Sequence, residues 1–220
     1  MQNKVLMLFV ALIAGALAWA AFFWQPGQKT TQPAHEPLPL AKPPTGGDFN
    51  LEGPEGPVAL KDYRGKVVLL FFGYTHCPDI CPTSLSVTAQ TLTALDESEQ
   101  KQVQVLFVSV DPERDTMDKL KDYAAYFHPK ILGITGKAED LTATAALYGA
   151  SYAKQEPDDK GAYAVAHSAY TYLIDRNGRL VSSIDYGTPA PQVLAEVRKV
   201  LLQDLPAPPS PPTPAPAAQK

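Results

Sequence analysis

Cys77 and Cys81 are the only two cysteines of the chain. They share one segment, Phe71-Phe72-Gly73-Tyr74-Thr75-His76-Cys77-Pro78-Asp79-Ile80-Cys81-Pro82, at the end of an apolar run. Two thiols where a strand hands over to a helix can hold a soft metal ion or exchange a disulfide. Proline is favoured at the first helical position and the residue before it avoids helical backbone, so Pro82 predicts Cys81 as N-cap. Ile80 and Leu85 then take the two positions of a hydrophobic staple. The unpaired N–H groups of a helix start favour a thiolate, against some opposition from Asp79. A bridge closing so short a loop adds little stability to a domain of this size, which argues against a purely structural disulfide.

The three-residue gap is one wider than the Cys-x-x-Cys of dithiol oxidoreductases. Two thiolates suit Cu(I) or zinc, but leave a zinc site incomplete, so a third ligand is wanted. The histidines are His35 in a proline-rich stretch, His76 beside Cys77, His128 before Pro129, and His167 before a predicted strand. His35 and His128 read as surface or helix-end residues. Spacing alone leaves metal capture and thiol exchange both open.

These residues need a scaffold. Lys66 to Phe72 and Val103 to Val110 are continuous apolar runs, as expected of strands covered on both faces. Leu85, Ala89, Leu92 and Leu95 recur at helical spacing between them, and Met117, Leu120, Tyr123, Ala124 and Phe127 after them. Strand, helix, strand, helix predicts parallel pairing through crossovers. Ile131 to Ile134 reads as a short strand, and Leu141, Ala145 and Tyr148 lie along a further helix. Tyr170 to Asp175 and Val181 to Tyr186 flank the turn at Asn177-Gly178 as a hairpin. Leu194, Val197 and Leu201 mark a closing helix, and a first hairpin is expected around Asp48 to Leu51 and Val58 to Leu60. The fold class is α/β, with a central mixed sheet flanked by helices.

The chain has 220 residues and a net charge of −4, which suits one globular domain with appendages and gives no basic footprint for nucleic acid. Six of the 22 prolines lie between Gln25 and Gly47 and seven between Leu205 and Lys220, so both stretches read as extended spacers. Val5 to Trp24 carries no charge and follows Lys4, and about twenty apolar residues suffice for a helix to cross a bilayer. A cleaved signal peptide ending near Ala16-Leu17-Ala18 is the competing reading. The apolar run continues past that point, which favours an anchor. The expected organisation is a cytoplasmic stub and transmembrane signal anchor over 1–24, a linker over 25–47, a domain over 48–205 and a disordered tail over 206–220. The domain then lies on the periplasmic or outer face of a bacterial-type inner membrane, where a disulfide is permitted.

Three motifs, Phe72 to Pro82, Ser109-Val110-Asp111-Pro112-Glu113-Arg114-Asp115-Thr116, and His167-Ser168-Ala169-Tyr170-Thr171-Tyr172-Leu173-Ile174-Asp175, resemble in their order the Sco (SenC) family of membrane-tethered copper proteins. The resemblance spans roughly Asp48 to Leu205. It implies a thioredoxin-like fold and copper, Cu(I) with Cu(II) as a further option, bound by Cys77, Cys81 and His167. It also implies a part in building the binuclear copper centre of cytochrome c oxidase. The partners implied are the oxidase subunit that carries that centre and an upstream copper donor or thiol reductant.

Asp111, at the end of the second apolar run, is a candidate for meeting a partner or supporting the copper loop. Its alternative is a turn residue before Pro112. Asp115 reads as an ordinary N-cap for a helix over Thr116 to Phe127. Gln155 to Gly161 is polar and carries glycine and proline, so it reads as a mobile excursion. Two other activities fit the cysteines: a reductase cycling Cys77 and Cys81 between dithiol and disulfide, and a thiol peroxidase.

Overall fold

The computed structural model describes residues 38–203 continuously, together with Met7, Ile13, Gly15, Ala16, Leu17 and Trp19. The segment expected to cross a membrane therefore lies mostly outside the described residues, as do His35 and the tail from 206 onward. The described residues of that segment are helical. Among the described residues no helix is long and apolar enough to cross a membrane.

Among the described residues nine strands are formed: β1 (Asn50–Gly53), β2 (Gly56–Ala59), β3 (Val67–Gly73), β4 (Val103–Ser109), β5 (Ile131–Ile134), β6 (Tyr152–Lys154), β7 (Val165–His167), β8 (Thr171–Ile174) and β9 (Leu180–Ile184). The helices are α1 (Ile80–Ala94), α2 (Glu97–Lys101), α3 (Met117–Phe127), α4 (Ala138–Leu147) and α5 (Ala190–Gln203), with a 3-10 turn over Leu60–Tyr63. The central sheet has the order β5-β4-β3-β8-β9. β3, β4 and β5 pair in parallel, while β8 and β9 join antiparallel, which makes the sheet mixed as expected.

β3 sits in the middle and every one of its residues is buried. This is why its sequence is a continuous apolar run rather than an alternation. The helices close over it largely through the predicted stripes: Leu85 and Leu92 from α1, Leu120 and Ala124 from α3, Leu141 and Ala145 from α4, and Val197 and Leu201 from α5 are all buried, while in α5 Val193 is buried and the expected Leu194 only partly so. At about 25 cal/mol per Å² of apolar surface, each fully buried leucine or phenylalanine here contributes roughly 1.5–3 kcal/mol.

Four features depart from the sequence reading. The helix carrying the cysteines starts at Ile80 with Asp79 as N-cap, so Cys81 lies inside its first turn and Ile80 and Leu85 are not staple positions. A proline two residues further in is tolerated because the first-turn N–H groups have no intrahelical acceptor to lose. Asp115 is not the cap of α3 either. Thr116 is, its hydroxyl accepting from the Lys119 N–H.

The third departure is a separate two-stranded ribbon of β6 and β7, with Tyr152 opposite His167 and Lys154 opposite Val165. Gln155 to Gly161, the expected excursion, belongs to its exposed tip, where the Gln155 N–H bonds to the Ala164 carbonyl and the Asp158 N–H to that of Ala162. Residues 38–47, assigned to the linker by composition, run along the domain. The Ala41 N–H bonds to the Gly149 carbonyl, those of Thr45 and Gly46 to Leu147, and the Tyr148 hydroxyl donates to the Gly47 carbonyl. The folded unit thus extends upstream of Asp48.

Candidate metal centre

The site forms at the carboxyl ends of the parallel strands β3 and β4, where open α/β sheets place their ligands. β3 delivers the Tyr74 to Asp79 loop and the start of α1, and with them both cysteines. The β6–β7 ribbon delivers His167. One ligand atom from each of Cys77, Cys81 and His167 lies within 4.8 Å of the others, and all three residues are buried. His167 Nε2 stands 3.3 Å from Cys81 Sγ and 3.8 Å from Cys77 Sγ. A trigonal ion with metal–sulfur bonds of about 2.3 Å and a metal–nitrogen bond of about 2.0 Å needs S···N separations of about 3.7 Å. The observed pair brackets that value, so the donors fit one ion with small adjustments.

The imidazole is held for this role. His167 Nδ1 lies 3.0 Å from the Ser168 carbonyl, a pure acceptor, so Nδ1 carries the proton and the Nε2 lone pair faces the sulfurs. Phe71 and Tyr74 pack edge-on against the ring, with centroids 6.1 and 5.9 Å away.

Both cysteines are free thiols, and their environments drive them apart. The Cys77 pKa is lowered to about 4, first by the hydrogen bond from the Cys81 thiol and further by the backbone N–H groups of Cys81 and Asp79, against an opposing burial cost. Burial pushes the Cys81 thiol well above its ordinary value, and the neighbouring Cys77 thiolate adds to this. The pair therefore rests as one thiolate and one thiol sharing a proton. Gly73 makes room for it: a Cβ there would fall 2.6 Å from Cys81 Sγ and 2.9 Å from the Phe107 ring.

The loop is fixed from behind by Asp115, which is 1% exposed. One carboxylate oxygen accepts from the Thr75 N–H at 2.9 Å and the Ser109 hydroxyl at 2.6 Å, and the other accepts from the Thr75 hydroxyl at 2.6 Å. The sequence carried a signal for this. Asp115 and Thr116 are adjacent cap-type residues and one helix needs only one cap; likewise Ser109 is a polar residue closing an apolar strand.

Asp111 takes part in a different contact. It accepts from Arg114 Nε at 2.5 Å and from the Tyr163 hydroxyl at 2.8 Å. Arg114 also donates to the Tyr163 carbonyl at 2.9 Å and lies 3.5 Å from the centre of the Tyr163 ring, whose surroundings include Lys154 at 4.0 Å. This knot ties the ribbon that bears His167 to the loop after β4. His76 is half exposed, with Nδ1 3.1 Å from the Thr75 hydroxyl and 3.6 Å from Asp115. His128 accepts from the Lys130 N–H at a helix end, far in sequence and role from the cysteines.

Residues 39–202 match the SCO1/SenC family model. The chain is 37% identical over 197 residues to "Protein SCO2 homolog, mitochondrial" of Bos taurus, covering 88% of this chain and 74% of that one. Among solved structures it is similar to Arabidopsis thaliana ScoI with copper bound, at TM-score 0.67 and 36% identity, covering 72% of this chain and 99% of that one. Bradyrhizobium japonicum ScoI with copper bound gives 0.65 and 37%, covering 71% and 99%. The mixed sheet and its flanking helices are those of the thioredoxin-like Sco fold, and the chain belongs to the SCO1/SenC family.

Proposed function

We propose that this protein is a copper chaperone that holds Cu(I) on Cys77 Sγ, Cys81 Sγ and His167 Nε2 and passes it to the binuclear copper centre of cytochrome c oxidase. The observation that carries this reading is the convergence of two sulfurs and one correctly presented imidazole nitrogen in a buried cluster. Soft thiolates with one imidazole select Cu(I). Zinc wants a fourth ligand, and among the described residues no further histidine, cysteine or carboxylate joins the group. Similarity to two proteins solved with copper bound supports the same cargo. The uncharged run from Val5 to Trp24 supports anchoring in a bacterial-type inner membrane with the domain on its outer face. A three-coordinate ion leaves room for an incoming thiolate, so cargo passes by stepwise ligand exchange with no change of oxidation state.

A second reading is favoured by the split between the two thiols. A Cys77 thiolate attacks an acceptor disulfide to form a mixed disulfide. The Cys81 thiol then loses its proton, attacks the Cys77 sulfur and releases the acceptor as a dithiol, leaving a Cys77–Cys81 disulfide. A Cu(I) competition titration of the reduced full chain against a coloured chelator separates the two. The chaperone reading expects one tight copper per chain. Cys77→Ser, Cys81→Ser and His167→Ala should each weaken it by more than the ~10–100-fold typical of outer partners. His167→Ala should leave disulfide formation intact. Weak binding indifferent to His167 would instead establish the reductase.

A further inference from the structure

The β6–β7 ribbon that presents His167 pairs over only three residues a strand and stands outside the central sheet. A two-stranded ribbon is marginal by itself, so something else must hold its metal-bearing end. The Arg114–Tyr163 knot grips the outer part of the ribbon. At His167 itself the support comes from the other direction along the chain, from extended residues within the proline-rich stretch.

The Leu38 N–H donates to the His167 carbonyl at 3.1 Å. The next carbonyl, that of Pro39, accepts from the Ser151 hydroxyl at 2.8 Å and the Ser168 hydroxyl at 3.3 Å. Ser151 and Ser168 are themselves joined: the Ser168 N–H donates to the Ser151 carbonyl at 2.8 Å, and the Ser151 N–H to the Ser168 hydroxyl at 3.0 Å. The Ser168 carbonyl is the group that fixes the His167 tautomer. Two residues on, the Ala41 N–H secures the segment to Gly149. The peptide unit that follows the His167 side chain is therefore gripped at both its carbonyl and its N–H by one network whose outer member is Leu38–Pro39.

We propose that residues 38–41 are a positioning strap for His167, so that seating of the tether and capture of copper are coupled. This rests on the three-ligand reading above. When the strap is seated, His167 is pre-organised over the two sulfurs. When it lifts, the His167 carbonyl loses its partner, the ribbon end loosens, and the site falls towards a two-thiolate arrangement that surrenders copper more readily. Coupling between sites is reciprocal, so copper must tighten the strap by the factor that the strap tightens copper.

Leu38→Pro tests this in the full chain. It removes one N–H donor from a half-buried residue already flanked by Pro37 and Pro39, so the chain stays extended and the core is not excavated. Cu(I) affinity is measured for the wild type, Leu38→Pro, His167→Ala and the double variant. Leu38→Pro is expected to weaken Cu(I) by about tenfold, the low end for groups that orient a ligand, and to add nothing on top of His167→Ala. Additive losses would show that the strap acts through general stability, and an unchanged affinity for Leu38→Pro beside a weakened His167→Ala would overturn the strap while keeping the three-ligand site. An effect of neither variant would remove the three-ligand reading itself. Amide hydrogen exchange on the unaltered chain gives the reciprocal test without any substitution. Cu(I) should slow exchange over residues 38–41, and unchanged exchange there would overturn the coupling.

Discussion

Asp115 holds Thr75 at two points, accepting from its N–H at 2.9 Å and its hydroxyl at 2.6 Å across 40 residues of sequence. The contact fixes the loop between β3 and the cysteines to the loop after β4, so the thiols cannot drift independently of the sheet. Asp115→Ala leaves three donors, one buried and two part-buried, without their acceptor and should destabilise the domain by about 3 kcal/mol. Asp115→Asn keeps one acceptor oxygen, and hydroxyl rotors can turn to the amide, so it should cost about half as much. Urea unfolding of both variants checks the order, and Cu(I) affinity should fall in the same order.

Gly73 is required by approach, not by backbone angle. Gly73→Ala puts a methyl group 2.6 Å from Cys81 Sγ and pushes that sulfur away from His167. Overpacking of this kind costs about 1–3 kcal/mol. Thermal unfolding and copper titration together should show a variant that still folds but binds Cu(I) more weakly. Undiminished affinity would mean that the Phe107 ring yields instead.

The split thiols give a pH signature. Cys77 is lowered to about 4 in the folded chain from an ordinary value of 9.0, so the unfolded chain binds the extra proton between those limits. The thiolate therefore stabilises the fold fully above the unfolded thiol range, and this stabilisation is lost as the pH falls towards 4. Cys81, shifted the other way, penalises the fold only above its unfolded pKa. Subtracting the stability profile of Cys77→Ser from that of the unaltered chain should leave a difference that rises with pH from 4 to 9. Over the same window Cu(I) binding should release about one proton, from Cys81, rather than two.

Arg114 should tolerate no conservative exchange. Arg114→Lys keeps the charge but cannot donate to Asp111 and to the Tyr163 carbonyl while stacking on the ring. A loss of about 1–2 kcal/mol in ribbon stability is expected from the stacked cation and one hydrogen bond. It reads out as faster amide exchange across Val165 to His167. Lys154→Ala, on the exposed side of the same ring, should leave that exchange unchanged.

The sequence by itself determined the architecture. β3 and β4 are legible because strands buried on both faces must be apolar throughout, and the helices because one stripe of each must be. It also determined the cysteine pair, since its position at a strand end and helix start is local information. Helix starts were legible only to within two residues: Pro82 is acceptable at any position of the first turn, so Cys81 moved inside α1. The motif resemblance implied His167 as a third ligand, but spacing could not, and tertiary structure decided its geometry and the rest. His167 sits 86 residues from Cys81, and only the fold brings Nε2 to 3.3 Å from that sulfur. Asp115 has the chemistry of a cap and of a loop anchor alike, and what faced it across the sheet end chose between them. Residues 38–47 have the composition of a free spacer, because a strap held by backbone hydrogen bonds asks little of its side chains. Its partners, His167, Gly149 and Leu147, lie more than a hundred residues away, where no local pattern can announce them.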